Sequence, residues 1–172
     1  MIDNDDALNA MVMKDLYDII DEVTDQLLEK LKEKIDEEVY GAGTPSKKKN
    51  GYIRRMDNGG LRGSFEKSST IKSMQSVTNS IEHFPENMDL DSDNNVHGSN
   101  FWEGGKDIRS ILVDMIINGG SGTPHVGDRF GGGFWTDSRD FWTPFLEMLT
   151  DGTVNKLIES AFDKRGIVWI RG

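Results

Sequence analysis

A single apolar stripe runs through residues 8–39 and constrains the fold more than any other feature of the sequence. Its members are Leu8, Val12, Leu16, Ile19, Val23, Leu27, Leu31, Ile35 and Val39. They lie three or four residues apart, which is the repeat of one face of an α-helix. Asp5 and Asp6 can cap the start of this helix, and no Gly or Pro interrupts it before Gly41. The stripe predicts one helix of about 35 residues and ~50 Å.

Such a helix is longer than a domain of this size can cover on its own. We therefore expect part of its apolar face to pack on another subunit. The alternative is two helices with a bend near Thr24. Hydrophobic residues make up only 35% of the 172 residues, which indicates one domain with a modest core. The spacing is mostly four residues and not the alternating three and four of a heptad, which disfavours a long coiled coil.

Charge is distributed unevenly along the chain. The formal net charge is −10, and residues 1–40 hold much of the acidity, whereas residues 46–72 are locally basic. The basic residues are Lys47, Lys48, Lys49, Arg54, Arg55, Arg62, Lys67 and Lys72. Duplex DNA and anionic membrane surfaces are poor partners for so acidic a protein. The split suits subunits that meet head to tail, and the alternative is that exposed charge only keeps the protein in solution.

The middle of the chain reads as turns and short strands. Gly and Pro in residues 41–45 end the first helix. Residues 52–56 form a candidate strand that Asp-Asn-Gly-Gly turns back, because Asn and Gly tolerate a positive φ. Residues 61–67 are ambiguous. Apolar and polar residues alternate over 70–84, which predicts one half-buried strand closed by Pro85.

The last third of the chain predicts two further helical stretches. Apolar residues within 106–117 have the spacing of a short amphipathic helix. A second helical face begins at Thr143-Pro144, breaks at Asp151-Gly152 and ends at Gly166. The apolar residues 167–170 then predict a short terminal strand.

Together these segments predict an α+β fold: a long N-terminal helix and a small, mainly antiparallel sheet packed with one or two further helices. We divide the chain into the helix at 1–40 and a small α+β domain at 41–172. Mobile loops are expected at 85–105, which is polar, and at 119–133, which is rich in glycine.

No catalytic or metal-binding pattern stands out. The chain has no cysteine, which excludes disulfides, thiolate zinc sites and cysteine nucleophiles. Asp89, Asp91 and Asp93 copy the first ligand positions of a calcium loop, but Asn100 stands where the bidentate Glu is needed. The histidines lack metal-ligand spacing. We expect no catalytic site, no metal site and no cofactor, and therefore a protein that is not an enzyme.

The chain also lacks the patterns of export and membrane insertion. Its acidic start has no apolar segment of the kind that signal peptides carry. No run reaches the ~18 apolar residues of a membrane span. We expect a protein that is made and kept in a cytosol, or in a particle assembled there.

The order of several motifs resembles a known family. After the long helix the motifs are Tyr52-x-Arg54-Arg55, Gly59-Gly60-Leu61, Val77-Thr78-Asn79 in a strand, a short helix that ends in Gly, Arg139-Asp-Phe-Trp-Thr-Pro-Phe145, and a last helix that ends at Gly166-Ile167. This order over roughly residues 38–168 resembles the tail-completion proteins of long-tailed bacteriophages, which are neck or head–tail joining proteins.

The resemblance implies a structural role. Members of this family have a small α+β fold without a catalytic site and join a ring, commonly of six copies, between the head-closure ring and the tail tube. The implied partners are copies of the chain itself and head-closure, tail-tube or terminator proteins. Genome DNA would only pass through the lumen, no membrane would be involved, and the protein would reside in the virion neck or tail after assembly in the host cytoplasm.

Subunit contacts are the sites that this interpretation requires. The candidates are Arg54, Arg55, Leu61, Trp135, Phe141 and Trp142. The aromatic residues within 134–145 could instead bind a ligand or stack bases, but core and interface packing is the favoured interpretation. Two alternatives stay open for the whole chain: a tail-terminator or other minor tail or neck ring protein, and a cytosolic helical regulator.

Overall fold

A computed structural model describes residues 4–41, 60–73, 75–88, 109–118 and 138–168. The helices are α1 (Asn4–Ile35), α2 (Arg109–Asn118), α3 (Trp142–Thr150) and α4 (Thr153–Lys164). The strands are β1 (Phe65–Lys67), β2 (Ile71–Lys72), β3 (Val77–Thr78) and β4 (Ile81–His83). A π-helical turn (Asp36–Gly41) follows α1, and 3₁₀ turns lie at Leu61–Ser64 and Pro85–Asn87. The predicted α+β class, with its long N-terminal helix and small antiparallel sheets, is confirmed.

The first helix is continuous where the alternative interpretation placed a bend. Thr24 lies inside α1 and its hydroxyl donates to the carbonyl oxygen of Ile20, four residues earlier, at 2.7 Å. This bond satisfies the buried hydroxyl within the helix and leaves the backbone ladder intact. The prediction of one long helix is therefore correct, and its last turn widens into the π-helical turn before the chain leaves it.

The chain separates into two compact units, each built from distant segments. The first unit contains residues 1–30, 66–82 and 146–172, and the second contains 31–65 and 83–145.

In the first unit, α1 packs against the last helix. Ile19 and Val23 of α1 and Ala161 of α4 are buried together. The apolar side chains around them are Leu27, Leu157, Ile158, Phe162 and Ile167. A glycine with a φ of +93°, Gly152, starts α4 after the Asp151 turn, which confirms the predicted helix break. This core forms because the apolar faces of α1 and α4 pack against each other.

The segment 70–84 is not the single strand that the alternation predicts. It contains three short strands, and β2 pairs antiparallel with β3 so that Ile71 lies opposite Thr78. Ser73 causes the reversal: its N–H donates to the carbonyl oxygen of Ser76 at 2.8 Å, and its hydroxyl oxygen accepts from the N–H of Ser76 at 3.0 Å. Serine side chains that bond to nearby backbone favour such turns.

The strands β1 and β4 form the other two-stranded sheet. It begins in the ambiguous segment 61–67, where a 3₁₀ turn is followed directly by β1. The N–H of Phe84 donates to the carbonyl oxygen of Ser64 at 2.7 Å, next to the end of the pairing.

The second unit has its own apolar core. Its buried side chains are Leu31, Ile35, Val39, Leu61, Phe65, Met88, Ile116, Phe141 and Phe145. The predicted helix at 106–117 is present as α2, which contacts the 3₁₀ turn at Pro85–Asn87. The N–H of Arg139 donates to the carbonyl oxygen of Ile116 at 2.9 Å and holds the chain before α3 against the end of α2.

Some predicted elements fall outside the described residues. The predicted terminal strand at 167–170 is described only at residues 167 and 168, which belong to no strand, and residues 169–170 fall outside the described residues. The others are the strand at 52–56, the loop at 119–133, and the loop at 85–105 apart from residues 85–88. These predictions stand as they were made, as does the division of the chain at residues 40 and 41. Within the described residues, no helix is both long and apolar enough to cross a membrane.

Candidate subunit interface

The apolar stripe of α1 is buried along most of its length and uncovered at its start. Ile19 is 1% exposed, whereas Leu8 is 57%, Met11 60% and Val12 45% exposed. These three residues share one face of the helix because they are spaced by three and four residues. We call Leu8, Met11 and Val12 the N-terminal patch. Large apolar side chains that are grouped and exposed mark a surface that contacts something else.

A carboxylate lies on the same face as the N-terminal patch. Asp15 follows Val12 by three residues, Met11 by four and Leu8 by seven, so the helix repeat places it on their face. Its side chain is half-buried. Ala10 is exposed and lies on the opposite side of the helix, two residues from both Leu8 and Val12. A surface that covers this patch therefore needs apolar side chains and also a cation for Asp15.

Further along α1, a lysine from β1 neutralises the acidic side of the helix. The Nζ atom of Lys67 lies 3.0 Å from Asp21 and 2.7 Å from Asp25. Hydrogen bonds from Thr70 and from Lys67 lower the pKa of Asp21. Burial alone would lower the pKa of Lys67, but its hydrogen bonds to Asp25 and Asp21 outweigh burial and raise it.

The same carboxylate anchors a polar network. The Thr70 hydroxyl donates to Asp21 Oδ1 at 2.6 Å, and Asn79 Nδ2 donates to the Thr70 hydroxyl oxygen at 2.6 Å. Ser68 donates from its hydroxyl to Asn79 Oδ1 at 3.0 Å. These hydrogen bonds hold the segment 68–80 against α1. They also give partners to polar side chains that would otherwise be removed from water without a hydrogen bond.

A second ionic contact fixes the end of α4. Glu22 accepts from Lys164 at 2.6 Å and from Arg165 Nη1 at 2.8 Å. Hydrogen bonds from Lys164 and Arg165 lower the pKa of Glu22. Arg165 Nη2 also donates to the carbonyl oxygen of Asp18 at 3.4 Å. These contacts hold the end of α4 beside residues 18–22 of α1.

These contacts bear on the charge split along the sequence. Lys67 and Arg62 both belong to the basic segment, and both bind carboxylates of the chain's own first helix and its π-helical turn. In the second unit, Arg62 Nε lies 3.4 Å from Asp36. Part of the segregation of charge thus serves contacts within one chain.

The predicted interface residues have different surroundings. Arg54, Arg55 and Trp135 lie outside the described residues. Leu61 and Phe141 are buried in the core of the second unit. Trp142 is half-buried, stacks on Phe65 with ring centroids 6.4 Å apart, and meets Phe141 edge to face. The role of all six residues in subunit contacts stays a prediction.

A histidine completes the aromatic cluster of the second unit. The His83 ring lies 4.9 Å from the ring of Phe65, centroid to centroid. Its Nε2 atom is buried without a hydrogen-bond partner. Burial lowers the pKa of His83, and the nearby Glu86 carboxylate opposes this only in part. The ring is therefore held as neutral imidazole and packs as an aromatic side chain.

Comparison with other proteins adds no assignment to this geometry. No family model, no curated protein and no solved structure matches the chain. Across the described ranges, no three His, Asp or Glu side chains are grouped to hold a metal ion.

Sequence reasoning missed the N-terminal patch as a site. Leu8 and Val12 were recognised as members of the stripe, but the repeat is the same in its covered and uncovered parts. The expectation that part of the helix contacts another subunit was the nearest signal. Met11 is not a member of the stripe, and only its exposure next to Leu8 and Val12 in the structure shows that it belongs to the patch.

Proposed function

We propose that this chain is a structural protein of a bacteriophage virion that forms a ring at the head–tail junction, joining the head-closure ring to the tail tube. The observation that carries the proposal is the N-terminal patch, since the described chain leaves this part of a long helix uncovered. The α+β fold and the order of the sequence motifs support the same role.

The chemistry of the patch favours a head-to-tail contact over a symmetric one. If two copies paired through identical patches, Asp15 of each would enter the same seam, where like charges repel. A different surface of the neighbouring copy avoids this. Heterologous contacts of that kind generate a ring when the rotation between subunits closes.

The acidity of the chain suits passage of the genome. A ring of subunits that each carry a formal net charge of −10 repels phosphate groups, so DNA slides through the lumen without binding to its wall. In this proposal the ring acts by assembly alone and performs no chemistry.

The proposal is tested first by imaging the purified protein. We expect rings in negative-stain electron micrographs of the natural chain, and loss of rings in Val12→Glu, which buries a charge in the contact. The matched control is Ala10→Glu, which adds one carboxylate on the opposite side of the same helix turn and should leave the rings intact. If Val12→Glu still formed rings, the N-terminal patch would not be the subunit contact.

Location within a particle separates the related virion roles. Antibody-gold labelling of particles from the virus that encodes the chain should mark the neck. Label on tails that lack heads would instead indicate a tail-terminator ring. Absence of the protein from purified particles would refute a virion role altogether.

The basic segment supplies a second test. Arg55→Glu is expected to block ring formation while leaving the subunit folded, because a cation that meets an acidic neighbour becomes a repelling anion. Circular dichroism checks the fold and light scattering checks the assembly. Normal rings from this variant would count against Arg55 as a contact residue.

A helical regulator is the competing function that the same patch favours, because two copies of an exposed helix face can also form a dimer. Light scattering at several protein concentrations distinguishes them. A mass that grows with concentration from a monomer toward a ring fits the neck protein. A dimer that is independent of concentration fits the regulator.

A further inference from the structure

The large apolar side chains that are exposed among the described residues all belong to the first unit. They are Leu8, Met11 and Val12 of the N-terminal patch, and Ile71, Leu146 and Val168 elsewhere. A head-to-tail contact needs a second surface on the same subunit that differs from the patch and fits it. The three residues outside the patch are therefore the candidates for the centre of that second surface.

The charge beside Ile71 complements the charge beside the patch. Asp15 lies on the face of the patch, and it has no ion pair within the described ranges. Lys72 directly follows Ile71, is exposed, and likewise has no ion pair there. An apolar side chain next to a free cation thus faces solvent in β2, and an apolar patch next to a free anion faces solvent in α1.

The other two candidates lack this complement. Glu147 follows Leu146 and is exposed, so its carboxylate would repel Asp15 in a shared contact. Residues 166 and 167, which precede Val168, carry no charge. Ile71 is therefore the candidate that fits both the apolar and the charged part of the patch.

The β2–β3 hairpin holds Ile71 away from the patch of its own chain. The Thr70 hydroxyl donates to Asp21 Oδ1 at 2.6 Å and fixes the hairpin to α1 at that point. Asp21 follows Val12 by nine residues, so the two side chains lie on opposite sides of the helix and ~13 Å apart along its axis. Ile71 is 66% exposed and lies opposite Thr78, which is also exposed. The patch that Ile71 covers therefore belongs to another copy.

We infer that the β2–β3 hairpin of one copy docks on the N-terminal patch of the next copy, with Ile71 against Leu8 and Val12. Lys72 of the same hairpin pairs with Asp15 of that next copy. The inference rests on the proposed ring, because it names the second surface of the ring's subunit contact. Since the two surfaces lie on different sides of α1, each copy covers one neighbour and is covered by the other.

The spacing along the two elements is compatible with this contact. Leu8 and Val12 lie one helix turn apart and leave a groove between them for an aliphatic side chain. Asp15 lies ~5 Å beyond Val12 along the axis. Lys72 follows Ile71 by ~3 Å along the strand, and its flexible four-carbon stem spans the remaining distance.

Charge reversal tests the ion pair. Lys72→Glu and Asp15→Lys each bring like charges together and should raise the concentration needed for assembly, measured by light scattering, at least about tenfold. The double variant Asp15→Lys/Lys72→Glu restores opposite charges and should assemble within a few-fold of the natural chain. Lys156→Glu is the matched control, because it reverses another exposed lysine of the first unit, and it should leave assembly unchanged. A folded double variant that assembles no better than the single variants would overturn the pairing.

Crosslinking tests the contact itself, since the chain has no cysteine of its own. Asp15→Cys/Lys72→Cys treated with a short bismaleimide should give a ladder of covalent multimers on a denaturing gel. Asp15→Cys/Lys156→Cys is the control and should give several-fold less of this ladder. Dimers from Asp15→Cys alone, in place of the ladder, would indicate a symmetric contact between two patches and overturn the inference.

The outcomes separate this contact from the proposed function. If the natural chain formed rings in micrographs without the crosslink between positions 15 and 72, the hairpin contact would be refuted and the neck role would stand. Crosslinked open chains that never close into rings would support the contact and refute the ring. A natural chain that stays monomeric at every concentration would refute both.

Discussion

Removal of the Phe141 ring distinguishes a core residue from a residue of the subunit contact. Phe141 is 0% exposed and meets the rings of Phe65 and Trp142 edge to face, at 6.0 and 6.3 Å between centroids. Phe141→Ala deletes a fully buried ring, and such changes destabilise proteins by about 3–5 kcal/mol. With a urea dependence of about 2 kcal/mol per molar, the unfolding midpoint of the monomer should fall by about 2 M.

The assay is urea unfolding followed by circular dichroism, at a protein concentration where light scattering shows a monomer. Leu146→Ala is the control, because it removes an exposed apolar side chain of α3, the helix that follows Phe141 directly, and should shift the midpoint little. A Phe141→Ala monomer with unchanged stability that no longer forms rings would refute the reasoning. Phe141 would then belong to the subunit contact, as the sequence suggested, and not to the core.

Three further predictions concern titration and backbone strain. Hydrogen bonds from Lys164 and Arg165 lower the pKa of Glu22, so the stability that these contacts add is present above 4.5, the pKa of a glutamate in the unfolded chain, and is lost as the pH falls below it. The difference in urea midpoint between the natural chain and Glu22→Gln should therefore shrink in acid. Burial lowers the pKa of His83, so the free energy of unfolding of the natural chain should decrease as the pH falls below 6.5. His83→Phe should lose less stability than the natural chain between about pH 7 and pH 5.5, and equal losses would contradict this role of His83. Gly152→Ala places a side chain on a residue with a positive φ and should lower the free energy of unfolding by about 1 kcal/mol in thermal unfolding. Gly63→Ala should lower it less, because Gly63 has open space and no positive φ, and equal losses would show that the φ of Gly152 causes no strain in the variant.

The sequence predicts the helical elements well because their signals are local. The stripe of α1, the short helix at α2 and the break at Gly152 each depend on residues within a few turns. The strand at 70–84 fails because alternation does not reveal a reversal. Ser73 makes that reversal through bonds to its own backbone neighbours, and a serine in an alternating segment is equally compatible with an exposed strand position.

The contacts of the candidate site are less accessible to sequence reasoning. Lys67 and Asp21 are far apart in the chain, so their ion pair depends on the packing of β1 against α1. The border between the covered and uncovered parts of the stripe depends on where α4 lies. Nothing in the repeat itself separates Val12 from Ile19, although one is exposed and the other buried.

The construction of the first unit from both ends of the chain has a consequence for biosynthesis. A ribosome produces α1 before α4, and Ala161 and the side chains around it that cover Ile19 and Val23 follow more than 100 residues later. At about 5–20 residues per second, α1 waits roughly 7–28 s for them. During translation its apolar face is therefore open to chaperones and to neighbouring nascent chains, and the first unit closes only after α4 has been made.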